Sequence, residues 1–219
     1  MKTVFLFFAL TFYWSVTSAL EFVVPEKMQE TLDLAIGGDP YAQEIIGEVF
    51  HYGRGVDRDY KKAFYWYEKS AKQGHAPAQD YLALFYEIGL GVKKDCGKSI
   101  EWLRYAYFNG FKESLGNYVW LLATCENEKF RDGKLALKLA KEDLQVNGET
   151  ISRFDNLAAV YAELGDFEKA INLQEKLVIE LSKRDQPKRL LKFRERLKKY
   201  KAGEPWRGYS LSQPEQGPQ

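Results

Sequence analysis

Two cysteines, two histidines and two methionines in 219 residues leave little room for several kinds of chemistry. So few cysteines cannot staple a small secreted scaffold, although an exported protein could pair them. Neither His51 nor His75 has His or Cys neighbours at a spacing that would complete a metal site. No G-x-S-x-G, S-x-x-K, H-E-x-x-H or phosphate-loop motif occurs, so no catalytic residue and no cofactor is expected. An uninterrupted apolar run of the ~18–20 residues that a spanning helix needs is also missing. Charge of one sign is not in excess either: 32 Lys and Arg stand against 31 Asp and Glu. Losing Lys2 with a leader would make the balance 31 against 31, so whole-protein attraction to nucleic acid is not expected.

What is present begins with an ordered N-terminus. Lys2 precedes an almost wholly apolar stretch over residues 4–14, and Thr17-Ser18-Ala19 supplies small residues where a signal peptidase cleaves. Residues 1–19 read as a signal peptide and the protein as exported, either to a periplasm or out of the cell. About 200 residues remain, enough for one extended domain with a sizeable core.

A repeat organises that domain. Gly38-Asp39-Pro40-Tyr41-Ala42-Gln43 recurs as Gly74-His75-Ala76-Pro77-Ala78-Gln79, a shift of 36. At the same shift Gly53, Gly55 and Val56 meet Gly89, Gly91 and Val92, and Asp59, Lys62 and Trp66 meet Asp95, Lys98 and Trp102. Within a unit, Ile45, Ile46, Val49 and Phe50 carry the spacing of one helical face over residues 42–52. Gly53-Arg54-Gly55 ends that helix, and Asp59 caps a second one bearing Ala63, Phe64, Trp66, Tyr67 and Ala71. A helix pair this short cannot bury its apolar face alone, so successive pairs must stack. The expected fold is all-α, a right-handed solenoid of stacked antiparallel helix pairs.

Residues 38–110 resemble two Sel-one-like repeats of the tetratricopeptide repeat superfamily. The resemblance is carried by Ala42, Ile46, Gly47, Phe50, Gly53, Gly55, Val56, Asp59, Lys62, Ala63, Trp66, Tyr67, Lys69, Ser70 and Ala71. The second copy departs from it with Ala83 for the close-packing glycine and Ser99 for an alanine. Residues 20–37 would form an N-terminal capping half-repeat. Residues 111–182 resemble two ordinary tetratricopeptide units, through Leu157-Ala158, Tyr161, Gly165-Asp166-Phe167 and Ala170. Leu190, Phe193, Leu197 and Tyr200 mark a terminal capping helix over 183–202, where ten Lys or Arg face only Asp185 and Glu195. The Pro, Gln and Gly content of 203–219 predicts a disordered tail.

The resemblance implies a non-enzymatic scaffold or adaptor that holds a protein or peptide on its concave face, as a monomer. First helices line that side, and counting from the small residues at 47, 83, 119 and 158 selects Tyr41, Glu44, Glu48, His51, Asp80, Leu84, Glu87, Glu113, Trp120 and Asp155. Six of these ten are acidic, with Tyr41 and Trp120 as candidate aromatic anchors. Solvated helix faces would produce the same pattern. An envelope enzyme of the penicillin-binding or lactam-hydrolysing kind is the alternative function, since cysteine-rich members of the family are linked to it. Their repeated cysteine pairs are absent here. The basic last helix could instead touch anionic lipid. Finally, Cys96 opens the second helix of one unit and Cys125 closes the first helix of the next. Those consecutive helices run antiparallel, so the two cysteines should meet in a disulfide; the other reading of Cys125 is a small buried filler.

Overall fold

The computed structural model describes residues 23–208, as ten α-helices, three short 3-10 helices and no strand among the described residues. They are α1 (Gln29–Ile36), α2 (Pro40–Tyr52), α3 (Tyr60–Lys72), α4 (Ala76–Ile88), α5 (Cys96–Phe108), α6 (Leu115–Thr124), α7 (Gly133–Asn147), α8 (Ile151–Glu163), α9 (Phe167–Ser182) and α10 (Pro187–Lys201). Most helix starts are set by one side chain. The carboxylate of Asp39 accepts from Ala42 N at 2.7 Å, and Asp59, Asp95, Asp132 and Asp166 repeat the device at α3, α5, α7 and α9. Thr150 does the same for α8. Glycine sets two of the ends: Gly53 and Gly89 close α2 and α4 with φ of 68° and 80°, angles that a side chain would resist.

Consecutive helices pack in pairs, α2 with α3, α4 with α5, α6 with α7 and α8 with α9, while α1 and α10 close the two ends of the stack. The 36-residue shift also appears in the hydrogen bonds between units. Gln43 Nε2 donates to Ala35 O at 3.0 Å, and Gln79 Nε2 to Ala71 O at 3.1 Å. Gln73 donates to Gly38 O and Gln43 Oε1; Asn109 donates to Gly74 O and Gln79 Oε1. These amides satisfy carbonyls at the helix ends that water would otherwise have to reach. The second glycine of each loop is a contact point. A Cβ on Gly91 would lie 2.5 Å from Tyr60 O, and one on Gly55 would lie 2.7 Å from Pro25.

The aromatic stripe is core at its centre: Trp66 and Tyr67 are buried, Phe64 and Tyr65 partly so. Gly47 sits beneath Tyr67, whose ring would be 2.7 Å from an added Cβ. At the equivalent place in the next unit Leu103 replaces the tyrosine, which leaves room for Ala83. That compensation explains the departure from the repeat pattern.

Two expectations about the chain ends meet the structure differently. The signal peptide, 1–19, lies outside the described residues. The tail does not lose its structure at 203. Trp206 packs against the core around Trp120 and Leu157 and against Ala158, Ala162 and Tyr200. Apolar burial of one indole outweighs the composition of its neighbours. Residues 209–219 lie outside the described residues.

Candidate partner-binding face

The ten inner-face positions divide sharply once the helices are in place. Four of them are buried. His51 is enclosed by Tyr52, Tyr60, Tyr67, Tyr81 and Phe85, and its Nδ1 lies 3.2 Å from Tyr67 Oη. Burial pushes its pKa down to about 4, so the ring is neutral. Glu87 is buried beside a cavity of about 420 Å³ that the two cysteines, Phe130 and Gly208 also line.

Trp120 and Asp155 are buried by the C-terminal part of the chain. The Trp120 indole is fully enclosed and donates its N–H to Gly208 O at 3.0 Å. Asp155 pairs with Arg196, itself 1% exposed, and accepts from Gln174 Nε2 at 3.1 Å. Neither residue can serve as an open contact. Counting positions from a small residue finds the face but not what a later segment lays over it.

The remaining six cluster on the first two units and the start of the third. Tyr41 is 66% exposed, its ring edge-on to His75 with centroids 4.5 Å apart. Glu44 lies 3.8 Å from His75 Nε2, and burial keeps that imidazole below its ordinary pKa. Glu44 itself is pushed above the usual carboxylate range by burial and by Glu48. Glu48 accepts from Tyr81 Oη at 2.7 Å and pairs with Arg54 at 2.8 Å. Asp80 is raised to about 6 by burial, with Glu113 adding to the effect and a hydrogen bond from Asn117 opposing it. One of its oxygens is buried without a hydrogen-bond partner. Leu84 is half-buried and Glu113 is exposed, in the turn before α6. These crowded carboxylates cost one another stability, which a bound cation would relieve. Among the described residues no group of three or more His, Cys, Asp or Glu is placed to hold a metal ion.

Cys96 and Cys125 are joined by a disulfide, their alpha carbons 6.0 Å apart. The bond ties the start of α5 to the end of α6, at the edge of the cavity. On α10, Phe193 and Tyr200 are fully buried against the preceding pair, while most of the lysines face outward. No helix among the described residues is long and apolar enough to cross a membrane.

A solenoid of capped helix pairs with a carboxylate-lined inner face is the architecture of a binding scaffold. Residues 40–75 and 76–111, 72 of the 219, each match the Sel1 repeat family, so this part of the chain carries two Sel1-like repeats. It is 42% identical to mouse protein sel-1 homolog 2 over 62 residues, 28% of this chain and 9% of that protein. With the Arabidopsis thaliana ERAD-associated E3 ubiquitin-protein ligase component HRD3A it shares 34% identity over 58 residues, 26% of this chain and 9% of the relative. The chain thus spans about a tenth of these relatives' length. The crystal structure of a Sel1 repeat protein from Oxalobacter formigenes superimposes with a TM-score of 0.52 at 26% identity, covering 69% of this chain and 63% of the other.

Proposed function

We propose that this chain is an exported, non-catalytic adaptor that holds a basic protein segment on the acidic inner face of α2 and α4. One observation carries the reading. Glu44, Asp80 and Asp155 occupy the same position in their units, three residues before the small residues Gly47, Ala83 and Ala158. At Asp155 the chain supplies its own guanidinium, from Arg196. Burial raises the pKa of all three carboxylates, but no guanidinium reaches the other two: Asp80 has one oxygen buried without a hydrogen-bond partner, and Glu44 has His75 Nε2 at 3.8 Å. A partner lysine or arginine at these places would reproduce the internal pair, with Tyr41 and Leu84 as the apolar contacts beside it.

The Arabidopsis relative, as a ubiquitin-protein ligase component, belongs to a protein assembly, which supports a protein-holding role. The lactam-hydrolysing alternative draws no support: both cysteines are consumed in one disulfide, and His51 is turned toward Tyr67. Export is supported by the layout of residues 1–19 and fits a disulfide-bearing chain. Cleavage after Ala19, read by mass spectrometry of exported material, tests it; a retained Met1 in the functional protein refutes it.

The binding reading is tested by capturing partners from an envelope extract with the wild-type chain and with Glu44→Lys/Asp80→Asn. Glu101→Lys, on an exposed surface of α5, serves as control. The inner-face variant should lose the wild-type partner and the control should keep it. Retention by both defeats the proposal.

A further inference from the structure

The seven described residues after α10 do more than follow a helix end. Gly203, with φ of 70°, takes the left-handed conformation after Ala202, and the segment to Gly208 then passes the C-terminal ends of α6 and α8. Trp206 enters between the cores of the third and fourth units. The guanidinium of Arg196 lies 4.7 Å from the Trp120 ring and 5.3 Å from the Trp206 ring, so one buried cation bridges two indoles. Arg207 places one nitrogen 2.6 Å from Glu163 Oε2 and donates another to Ala123 O at 3.2 Å. The main chain of Gly208 completes the contact, donating to Thr124 O at 3.4 Å and accepting from Trp120 Nε1.

This is the anatomy of peptide recognition rather than of a helix cap. An extended segment offers an aromatic anchor, an arginine for a carboxylate and two main-chain bonds, and it uses carbonyls left open at the end of α6. The fit also has a defect: the Trp206 indole N–H is buried without a partner. Trp206, Arg207 and Gly208 are all only half-buried.

We propose that the inner face of α6 and α8 is a recognition groove for an extended Trp-Arg-small segment of a partner protein, occupied in the resting chain by its own Trp206-Arg207-Gly208. The groove is separate from the acidic face of α2 and α4, and this inference does not depend on that reading. Four residues, 202–205, tether the internal segment to α10, so its effective concentration at the groove is on the order of millimolar. A partner segment must therefore outcompete it, or arrive when it has been withdrawn.

The probe is a fluorescein-labelled amidated hexapeptide with the sequence of residues 203–208, read by anisotropy against full-length protein. Trp206→Ala empties the anchor site, and Arg207→Ala loosens the segment while leaving the indole. The peptide should bind Trp206→Ala at least tenfold more tightly than wild type, and Arg207→Ala by an intermediate amount. Adding Glu163→Gln should weaken peptide binding at least fivefold, and a hexapeptide with alanine for tryptophan should not bind. Circular dichroism confirms that each variant is folded. No binding to a folded Trp206→Ala chain at millimolar peptide overturns the proposal, as does equal binding to wild type. Loss of folding in both tail variants overturns it too, because the segment would then be core and not a displaceable occupant.

Discussion

Removing the charge of Asp155 should cost this protein more than any surface change of similar size. Asp155 is 3% exposed and Arg196 1%, and the two are paired across α8 and α10. Asp155→Asn keeps the shape and the hydrogen bond to Gln174 but leaves a buried guanidinium without its counter-ion. Breaking a buried pair from one side costs about 3–5 kcal/mol. Arg196→Met leaves the carboxylate stranded and also forfeits the contacts with Trp120 and Trp206, each worth about 0.5–2 kcal/mol. The double variant strands neither charge, so its cost should fall well below the sum of the singles, with a coupling of about 2–4 kcal/mol. Urea unfolding followed by circular dichroism gives all four stabilities, provided the slopes stay comparable. Additive single effects would mean that each group already finds its own compensation and that the ion pair does not lock α10 onto α8.

Opening the Cys96–Cys125 bond with a dithiol, or replacing both cysteines by serine, should lower stability by about 3.5 kcal/mol from the entropy of its 29-residue loop. Urea midpoints with and without reductant measure this, and coincident curves refute it. Gly91→Ala should be far worse than Gly38→Ala: both have positive φ, but only at Gly91 would the new Cβ strike backbone, at Tyr60 O. The left-handed penalty alone is about 1–2 kcal/mol, so equal melting points for the two variants would deny the contact. Two groups perturbed by desolvation should oppose one another in acid. His51 has its folded pKa lowered from 6.5 to about 4, so stability is full above about 6.5 and lost as pH falls toward 4, by up to about 3 kcal/mol. Asp80 has its folded pKa raised from 3.8 to about 6, so stability is lost as pH rises from about 4 to 6, by no more than about 3 kcal/mol. Asp80→Asn removes only the second effect, and its melting point should fall more steeply than wild type on acidification; parallel profiles would be inconsistent with the raised pKa of Asp80.

The parts of this molecule that could be read from sequence are those decided within a few residues or at a fixed repeat offset. Asp59 and Asp95 announce helix starts because a carboxylate one turn ahead of open amides needs nothing distant. Gly53 and Gly89 announce ends for a similarly local reason. The meeting of Cys96 with Cys125 follows from two consecutive helices alone. Trp120, by contrast, looks like an anchor on an open face, and it takes a residue 88 positions away to bury it. His51 is hidden by rings from α3 and α4 that no count along α2 can supply. In the tail, average composition pointed to disorder, whereas a single tryptophan among proline, glycine and glutamine was the signal to weigh. A residue with that much apolar surface finds a place to bury it if one is within reach.

The inner face is thus one surface carrying two answers to one electrostatic problem. On the fourth unit the acids Asp155 and Glu163, both on α8, are matched by Arg196 and by Arg207 together with Arg131. On the first two, Glu44 and Asp80 keep their charges crowded and half-hidden. The position after the small residue decides which cation each half should prefer. In the third unit it is Trp120, whose ring favours a flat guanidinium; in the first two it is Glu48 and Leu84, which offer charge and contact but no indole. The first face should therefore accept lysine and arginine about equally. The groove at α6 should not, because Arg207 uses two nitrogens at once, one for Glu163 and one for Ala123 O. Lysine in place of that arginine in the hexapeptide should weaken binding to the Trp206→Ala chain about tenfold, since its single ammonium cannot serve both partners. Equal binding of the two peptides would show that charge alone, and not the geometry of the fork, holds the segment in place.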